Sequence, residues 1–369
     1  MIYLDHNATT NVHPVVQSKI NELLPLTLNP SSIHYGGRLG KSLLEKSRKY
    51  IANLLGITES ARDYRITFTS GGTEANNLVL SNFKDGDIFI SATEHPSIFA
   101  CSKLYSNVKI VKVNREGILD LEDLELKLVN SKAHKKLVCV MLANNETGII
   151  QPITDIARIV HNRSALLLSD CVQAAGKMNI NIEESGIDFA TISGHKFGGI
   201  VGAGALISRE DYHLDALIIG GGQEKSLRSG TENVPAVVAL GEAARLVSDE
   251  LEERINHMQE LRDFMESELK NNFDDIEIVG INSERLPNTS LIINPRKLAE
   301  IQLIALDMKN IAVSSGSACS SGKVGSSHVL SAMGYSQTQA KHAIRISLGR
   351  SNDRHDIDSF LKIFNELNK

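Results

Sequence analysis

The sequence predicts an α/β fold: a large domain with a mainly parallel seven-stranded sheet between helices, followed by a smaller α+β C-terminal domain. Three observations carry this expectation. Short β-rich runs alternate with helical stretches between residues 65 and 208, the pattern of a parallel sheet covered on both faces. One long helical tract, 234–271, then interrupts the alternation. Beyond it, strands and helices interleave again over a shorter length. The 369 residues leave room for two domains at about 150 residues each. The boundary is expected near residue 255, giving a large domain over 13–255 and a small one formed by 1–12 and 256–369.

Taken in order, a short extended N-terminus comes first. Residues 37–55 then place Leu39, Leu43, Leu44, Tyr50, Ile51, Leu54 and Leu55 on one helical face, and Gly56 stops the helix. Strands are expected at 65–69, 87–91, 108–113, 137–142, 166–169, 189–193 and 203–208, with helical spacing between them, for example at 121–129 and 153–160. The tract 234–271 is Pro-started and rich in Glu, Leu and Arg, which suits a helix linking two domains. After it come strands at 277–279, 290–294, 311–314 and 343–348 and helices at 298–308 and 356–367. Residues 314–327 are unusually rich in Ser and Gly.

Composition excludes whole classes of function. Thirty-nine Lys and Arg against 44 Asp and Glu give a net charge of −5, so there is no electrostatic footprint for direct nucleic-acid binding. No apolar stretch reaches the ~18 residues of a membrane span. The first ten residues carry acid and His where a signal peptide has basic and then apolar residues. Four scattered cysteines, Cys101, Cys139, Cys171 and Cys319, form no CxxC pair and no disulfide framework. A reducing cytoplasm is therefore expected, and no metal ligand set.

Four segments carry chemistry. Thr69-Ser-Gly-Gly-Thr-Glu-Ala-Asn76 follows a strand and opens a helix, so free N–H groups, two glycines and the Thr73 hydroxyl can cradle a phosphate around Gly72 and Thr73. It is neither GxGxxG nor a P-loop, and a plain Gly turn capped by Thr73 is the alternative. Ser193-Gly-His-Lys-Phe197 ends a strand with Lys196 among small residues and His195. Such a lysine suits a Schiff base with an aldehyde cofactor, because desolvation frees the amine; a surface charge is the alternative. Leu168-Ser-Asp-Cys-Val-Gln173 ends an apolar strand in Asp170, where parallel sheets bind ligands; a helix cap is the alternative. Thr93-Glu-His95 offers a ring for stacking or proton transfer, or an ordinary loop histidine. Asn144-Asn-Glu-Thr-Gly148 repeats that geometry after another strand. A phosphate cradle, an amine, a ring acid and a stacking His at strand ends jointly specify pyridoxal 5'-phosphate, whose ring nitrogen needs an acid to act as electron sink.

At these residues the sequence resembles the class V, fold-type I pyridoxal-phosphate enzymes, and within them the group I cysteine desulfurases of NifS/IscS type. The resemblance also covers Tyr3-Leu-Asp-His-Asn-Ala-Thr-Thr10, Asn29-Pro-Ser-Ser32, Arg228-Ser-Gly-Thr-Glu-Asn233, Ser314-Ser-Gly-Ser-Ala-Cys-Ser320 and Ile344-Arg-Ile-Ser-Leu-Gly349. It implies that Lys196 carries the cofactor, Asp170 pairs with the ring nitrogen, Gln173 bonds the ring hydroxyl and His95 stacks on the ring. It implies a phosphate site of Gly72, Thr73, Ser193 and His195, with Thr231 arriving from the other subunit of a homodimer. Asn145 and Arg345 match positions that hold substrate, and an Arg fork suits an α-carboxylate; for Arg345 a strand salt bridge is the alternative.

Cys319 selects the reaction that the resemblance implies. Sulfur transfer requires a thiol: Cys319 takes the sulfur of L-cysteine as a persulfide, alanine leaves, and an iron-sulfur scaffold or other acceptor protein receives the sulfur. A related lyase acting on selenocysteine, or a degenerate scaffold protein of the same fold, is the competing expectation. The sequence departs from the family pattern at Gly199-Ile-Val-Gly202, where a Gly-Pro-Lys turn is usual. The chain also ends soon after its last helix, so weaker or different scaffold docking is expected.

Overall fold

A computed structural model gives the structure over residues 1–58, 64–316 and 327–368. The chain opens with β1 (Ile2–Tyr3), α1 (Pro14–Leu23) and α2 (Tyr35–Leu54). Helix α1 lies where extended chain was expected. Its start is set by Pro14 and by His13, whose side chain caps the Val15 N–H, and only Val16 and Leu23 are buried, so its sequence shows no apolar stripe. Gly56, just past α2, takes φ 68°, the left-handed position that favours glycine at a helix end.

The alternating region follows as β2 (Tyr64–Thr69), α3 (Gly72–Ser81), β3 (Asp87–Ser91), α4 (Pro96–Phe99), β4 (Val108–Val111), α5 (Leu121–Val129), β5 (Lys136–Cys139), α6 (Ile153–Asn162), β6 (Leu166–Asp170), α7 (Ile182–Ser185), β7 (Phe189–Ser193) and β8 (Gly204–Arg209). These strands form one seven-stranded sheet in the order β2-β8-β7-β6-β5-β3-β4. β8 runs antiparallel to both neighbours, and the other pairings are parallel. Thr69, Ser91, Asp170 and Ser193 therefore end their strands at one edge. β4 and β5 stop short of the expected 113 and 142, although Val140 and Leu142 still donate to the carbonyls of Leu168 and Asp170.

α8 (Val234–Asn272) leads to β9 (Glu277–Ile278), β10 (Thr289–Ile293), α9 (Ala299–Asp307), β11 (Ile311–Ala312), β12 (Ser314–Ser315), α10 (His328–Ala332), α11 (Gln337–Ala340), β13 (Ala343–Ser347) and α12 (Arg354–Asn368). The second sheet is antiparallel, in the order β12-β13-β10-β9. The expected strand at 311–314 divides in two because its halves have different partners: β11 pairs with β1 at the N-terminus and β12 with β13.

Along α8 the buried residues change company. Leu246, Val247 and Leu251 join the core on one face of the large sheet. Met258, Leu261, Met265 and Leu269 join a second core with Leu4, Ile292, Ile344, Phe360 and Phe364. Each such side chain contributes about 1.5–3 kcal/mol by leaving water. Val279, Leu286, Leu291 and Met333 pack with the large core, so the second sheet is welded to the first by shared apolar contacts.

Candidate active site

At the edge where the parallel strands end lies a cavity of about 240 Å³ lined by Gly72, Thr73, His95, Asn145, Asp170, Gln173, Ser193, His195 and Lys196, with Ser97, Met141 and Val172. The topology explains the gathering: β6 delivers Asp170, β7 delivers Ser193 and the turn with His195 and Lys196, and α3 begins with Gly72. Arg345 and Thr231 are not in this wall. Cys319 lies outside the described residues.

One end of the cavity is built for an anion. The first N–H groups of the ten-residue α3 and the Thr73 and Ser193 hydroxyls meet there. Neither hydroxyl hydrogen-bonds to protein among the described residues. Gly71 starts α3 with no side-chain cap, so Thr73 is not the cap that the plain-turn alternative required. At Gly72 a Cβ would come within 2.6 Å of Val172 Cγ2.

The cavity also holds a buried carboxylate. Asp170 Oδ2 accepts from Asn76 Nδ2 at 2.9 Å and Oδ1 from the Val172 N–H at 2.9 Å; the latter is a turn contact and not the helix cap of the alternative reading, since the next helix begins only at Ile182. Asn76 also donates to Ser97 Oγ and accepts from Thr191 Oγ1, so its amide is fixed and aims Asp170. His95 Nδ1 accepts from the Ser97 N–H at 3.1 Å, which puts the proton of the neutral ring on Nε2. Burial lowers the His95 pKa, and burial together with the charges of Lys196 and Lys177 pushes His195 down to about 4. Both rings are neutral at pH 7.

Lys196 Nζ donates to the carbonyls of Asn7 at 2.6 Å and Ala8 at 2.8 Å. Beside it stands Lys177, a residue that sequence reasoning passed over. Lys177 Nζ donates to Asn7 Oδ1 at 2.8 Å and Gln173 Oε1 at 2.7 Å. Burial and the nearby charges of Lys196 and Arg345 hold its pKa well below the usual lysine range. With Oε1 occupied by Lys177 and Nε2 donating to the Asn7 carbonyl, the Gln173 amide has one orientation, and its spare N–H is free to act as a donor. Asn7 and Asn76 were missed as well, although both lie inside motifs read from the sequence; the only hint of Lys177 was a lysine in the otherwise apolar run after Gln173.

Asn145 lines the cavity, and its carbonyl accepts from Arg345 Nη1 at 2.9 Å. Arg345 Nη2 donates to Asp5 at 2.6 Å, the strand salt bridge of its alternative reading, while its Nε is buried without a partner. Next to Asn145, Glu146 is buried and its carboxyl is pushed up to about 7. Thr231 is exposed, on a segment anchored by Arg228 to Glu74 at 2.9 Å.

The donor set fits pyridoxal phosphate: unpaired hydroxyls and helix N–H groups, a fixed carboxylate, a neutral ring and an amine line one cavity. Comparison with known proteins gives the family. The family model described as aminotransferase class-V matches residues 2–360. A cysteine desulfurase of Nostoc sp. is 41% identical, over 100% of this chain and 92% of the relative. The cysteine desulfurase IscS of Dictyoglomus turgidum is 35% identical, over 99% and 94%. The X-ray structure of a NifS-like protein from Rickettsia africae superposes with a TM-score of 0.95 at 48% identity, covering 100% of this chain and 99% of that one. With sequence, family model and fold in agreement over nearly its whole length, the chain belongs to the class-V aminotransferase family, in the branch that holds the cysteine desulfurases.

Proposed function

We propose that the chain is a pyridoxal 5'-phosphate-dependent cysteine desulfurase that releases L-alanine and leaves the sulfur of L-cysteine on Cys319 as a persulfide. The observation that carries this reading is that Lys196, Asp170 and the Gly72–Thr73 helix start line one cavity. When bound, the cofactor supplies an electron sink for bonds at the amino-acid carbon atoms.

In this reading the protein's own groups do the rest. Lys196 carries the cofactor; Gly72, Thr73, Ser193 and His195 hold its phosphate; Asp170 faces the ring nitrogen; Gln173 donates to the ring hydroxyl; His95 covers the ring. Asn145 and Arg345 hold the substrate carboxylate. The Cys319 thiolate forms a bond to the substrate sulfur as the sulfur–carbon bond breaks. Thr231 completes the phosphate site of a second copy, so the working unit is a homodimer; its exposure away from its own cavity supports this. The same reading places a large domain at 13–255 and a small one at 1–12 and 256–369, supported by the change of core along α8. It assigns the sulfur to an iron-sulfur scaffold or another acceptor protein, in the cytoplasm. The three described thiols, all unpaired, suit such a reducing compartment, and among the described residues no helix is long and apolar enough to cross a membrane.

The test is direct. Cofactor-loaded protein given L-cysteine and a thiol reductant is expected to release alanine and sulfide in equal amounts; release of neither overturns the assignment. Two variants probe the cavity. Gly72→Ala forces a methyl group against Val172, a strain of about 1–3 kcal/mol that is relieved by shifting the first turn of α3, and the displaced N–H groups are expected to weaken cofactor affinity roughly tenfold, measured by equilibrium dialysis. Lys177→Met frees the Gln173 amide to turn. The expected result is a displaced visible absorption maximum of the loaded protein and roughly tenfold slower turnover, the cost of one misplaced hydrogen bond to a charged group. An unchanged spectrum refutes the locking of Gln173.

A further inference from the structure

A second cavity, of about 220 Å³, touches the first at Lys196 alone. Among the described residues no Asp or Glu lines it. Its wall contains Lys177, Lys196, Arg254 and Arg350 together with His6 and His13. Arg254 is anchored to Glu250 at 2.7 Å from behind the wall. Arg350 is exposed and has no acidic partner among the described residues.

The histidines add unsatisfied polar atoms. His13 Nδ1 accepts from the Val15 N–H at 3.2 Å, so the neutral ring carries its proton on Nε2. That Nε2 is buried and makes no hydrogen bond, with Glu250 at 3.9 Å. His6 Nε2 is also buried without a partner. Both rings are held neutral by burial, His6 at about 4, against the weaker pull of Asp356 on His6 and of Glu250 on His13 and with the opposing charges of Lys177, Arg245, Arg254 and Arg350. The ten-residue α1 begins at this wall with Pro14, adding the positive end of its dipole.

We infer that this cavity is a binding site for a small inorganic oxyanion of phosphate or sulfate size, held by Arg350, Arg254 and the His13 Nε2–H. Size, a wall in which basic groups outnumber the one nearby carboxylate, Glu250, which Arg254 pairs, and the spare donors select an anion. Its place gives it a consequence. An anion here lies across Lys196 from the cofactor cavity and offsets the mutual repulsion of Lys177 and Lys196, so it favours the protonated form of the cofactor-bearing lysine nitrogen.

This consequence, though not the site itself, rests on the cofactor reading above. Cofactor-loaded enzyme is titrated with inorganic phosphate, against chloride at matched ionic strength to remove simple screening, and the pH midpoint of the visible band is followed. Phosphate is expected to raise the midpoint saturably by about one pH unit. Arg350→Gln is expected to weaken phosphate binding roughly tenfold or more, with Arg350→Lys partly restoring it. His13→Asn, which keeps a capping oxygen but has no N–H at the Nε2 position, is expected to weaken it too. Equal midpoints in phosphate and chloride, or equal phosphate affinity in wild type and Arg350→Gln, overturn the proposal. If the protein shows no visible band on loading, the cofactor reading fails instead. The anion site is then judged by calorimetric titration of phosphate into wild type and Arg350→Gln, since that substitution leaves the Gly72 cradle intact.

Discussion

Lys196→Ala is expected to yield a folded protein that lacks the visible band of a lysine-bound cofactor and forms alanine from cysteine at least roughly a thousandfold more slowly, the scale of losing a covalent nucleophile. The geometry leaves no substitute. Lys177 is the nearest competing amine, yet its Nζ is engaged with Asn7 Oδ1 and Gln173 Oε1 and does not line the cofactor cavity. The substitution leaves two backbone carbonyls without their lysine donor, so stability is expected to fall by no more than about 1–3 kcal/mol, as urea denaturation would measure. A variant that keeps both band and turnover would sink the assignment of Lys196.

The second large effect is expected at the thiol. Cys319→Ala should keep the visible band, because none of the residues proposed to hold the cofactor is altered, yet lose alanine and sulfide formation by roughly a thousandfold or more. The other cysteines cannot take over. Burial pushes the Cys101 thiol up to about 11, Cys171 to about 12 and Cys139 well above the ordinary range, so at neutral pH they are protonated and poor nucleophiles. Mass spectrometry after one turnover is expected to find an added sulfur atom on the wild-type chain and none on the variant. Alanine production by the variant at the wild-type rate would remove Cys319 from the reaction.

Much of this site was legible because its parts are local. A buried strand writes itself as an apolar run, and the polar residue that ends the run is visible beside it, as with Asp170 and Ser193. Glycines before a helical stretch mark Gly72 and Thr73 in the same way. What escaped is what sequence distance hides. Lys177 meets Asn7 across 170 positions, Gln173 meets Asn7 across 166, and Arg345 meets Asp5 across 340. No periodicity records such contacts. Asn7 sat inside a recognised motif, but its part in joining Lys177, Lys196 and Gln173 depends on the N-terminal segment lying against β11 and Ser347, which no local pattern records. Helix α1 escaped for a different reason, since two buried positions in ten do not make a stripe.

Helix α8 is 39 residues long and has no glycine or proline after Gly241. A rod of this kind resists bending except over its full length, because every turn is closed by its own hydrogen bonds. The two halves of the molecule are accordingly joined by a stiff beam and not by a tether. Arg345 is thus presented to Asn145 at a fixed distance, and, if the two hold substrate as proposed, the entropy of searching for that alignment is spent once, during folding, instead of at each encounter with it.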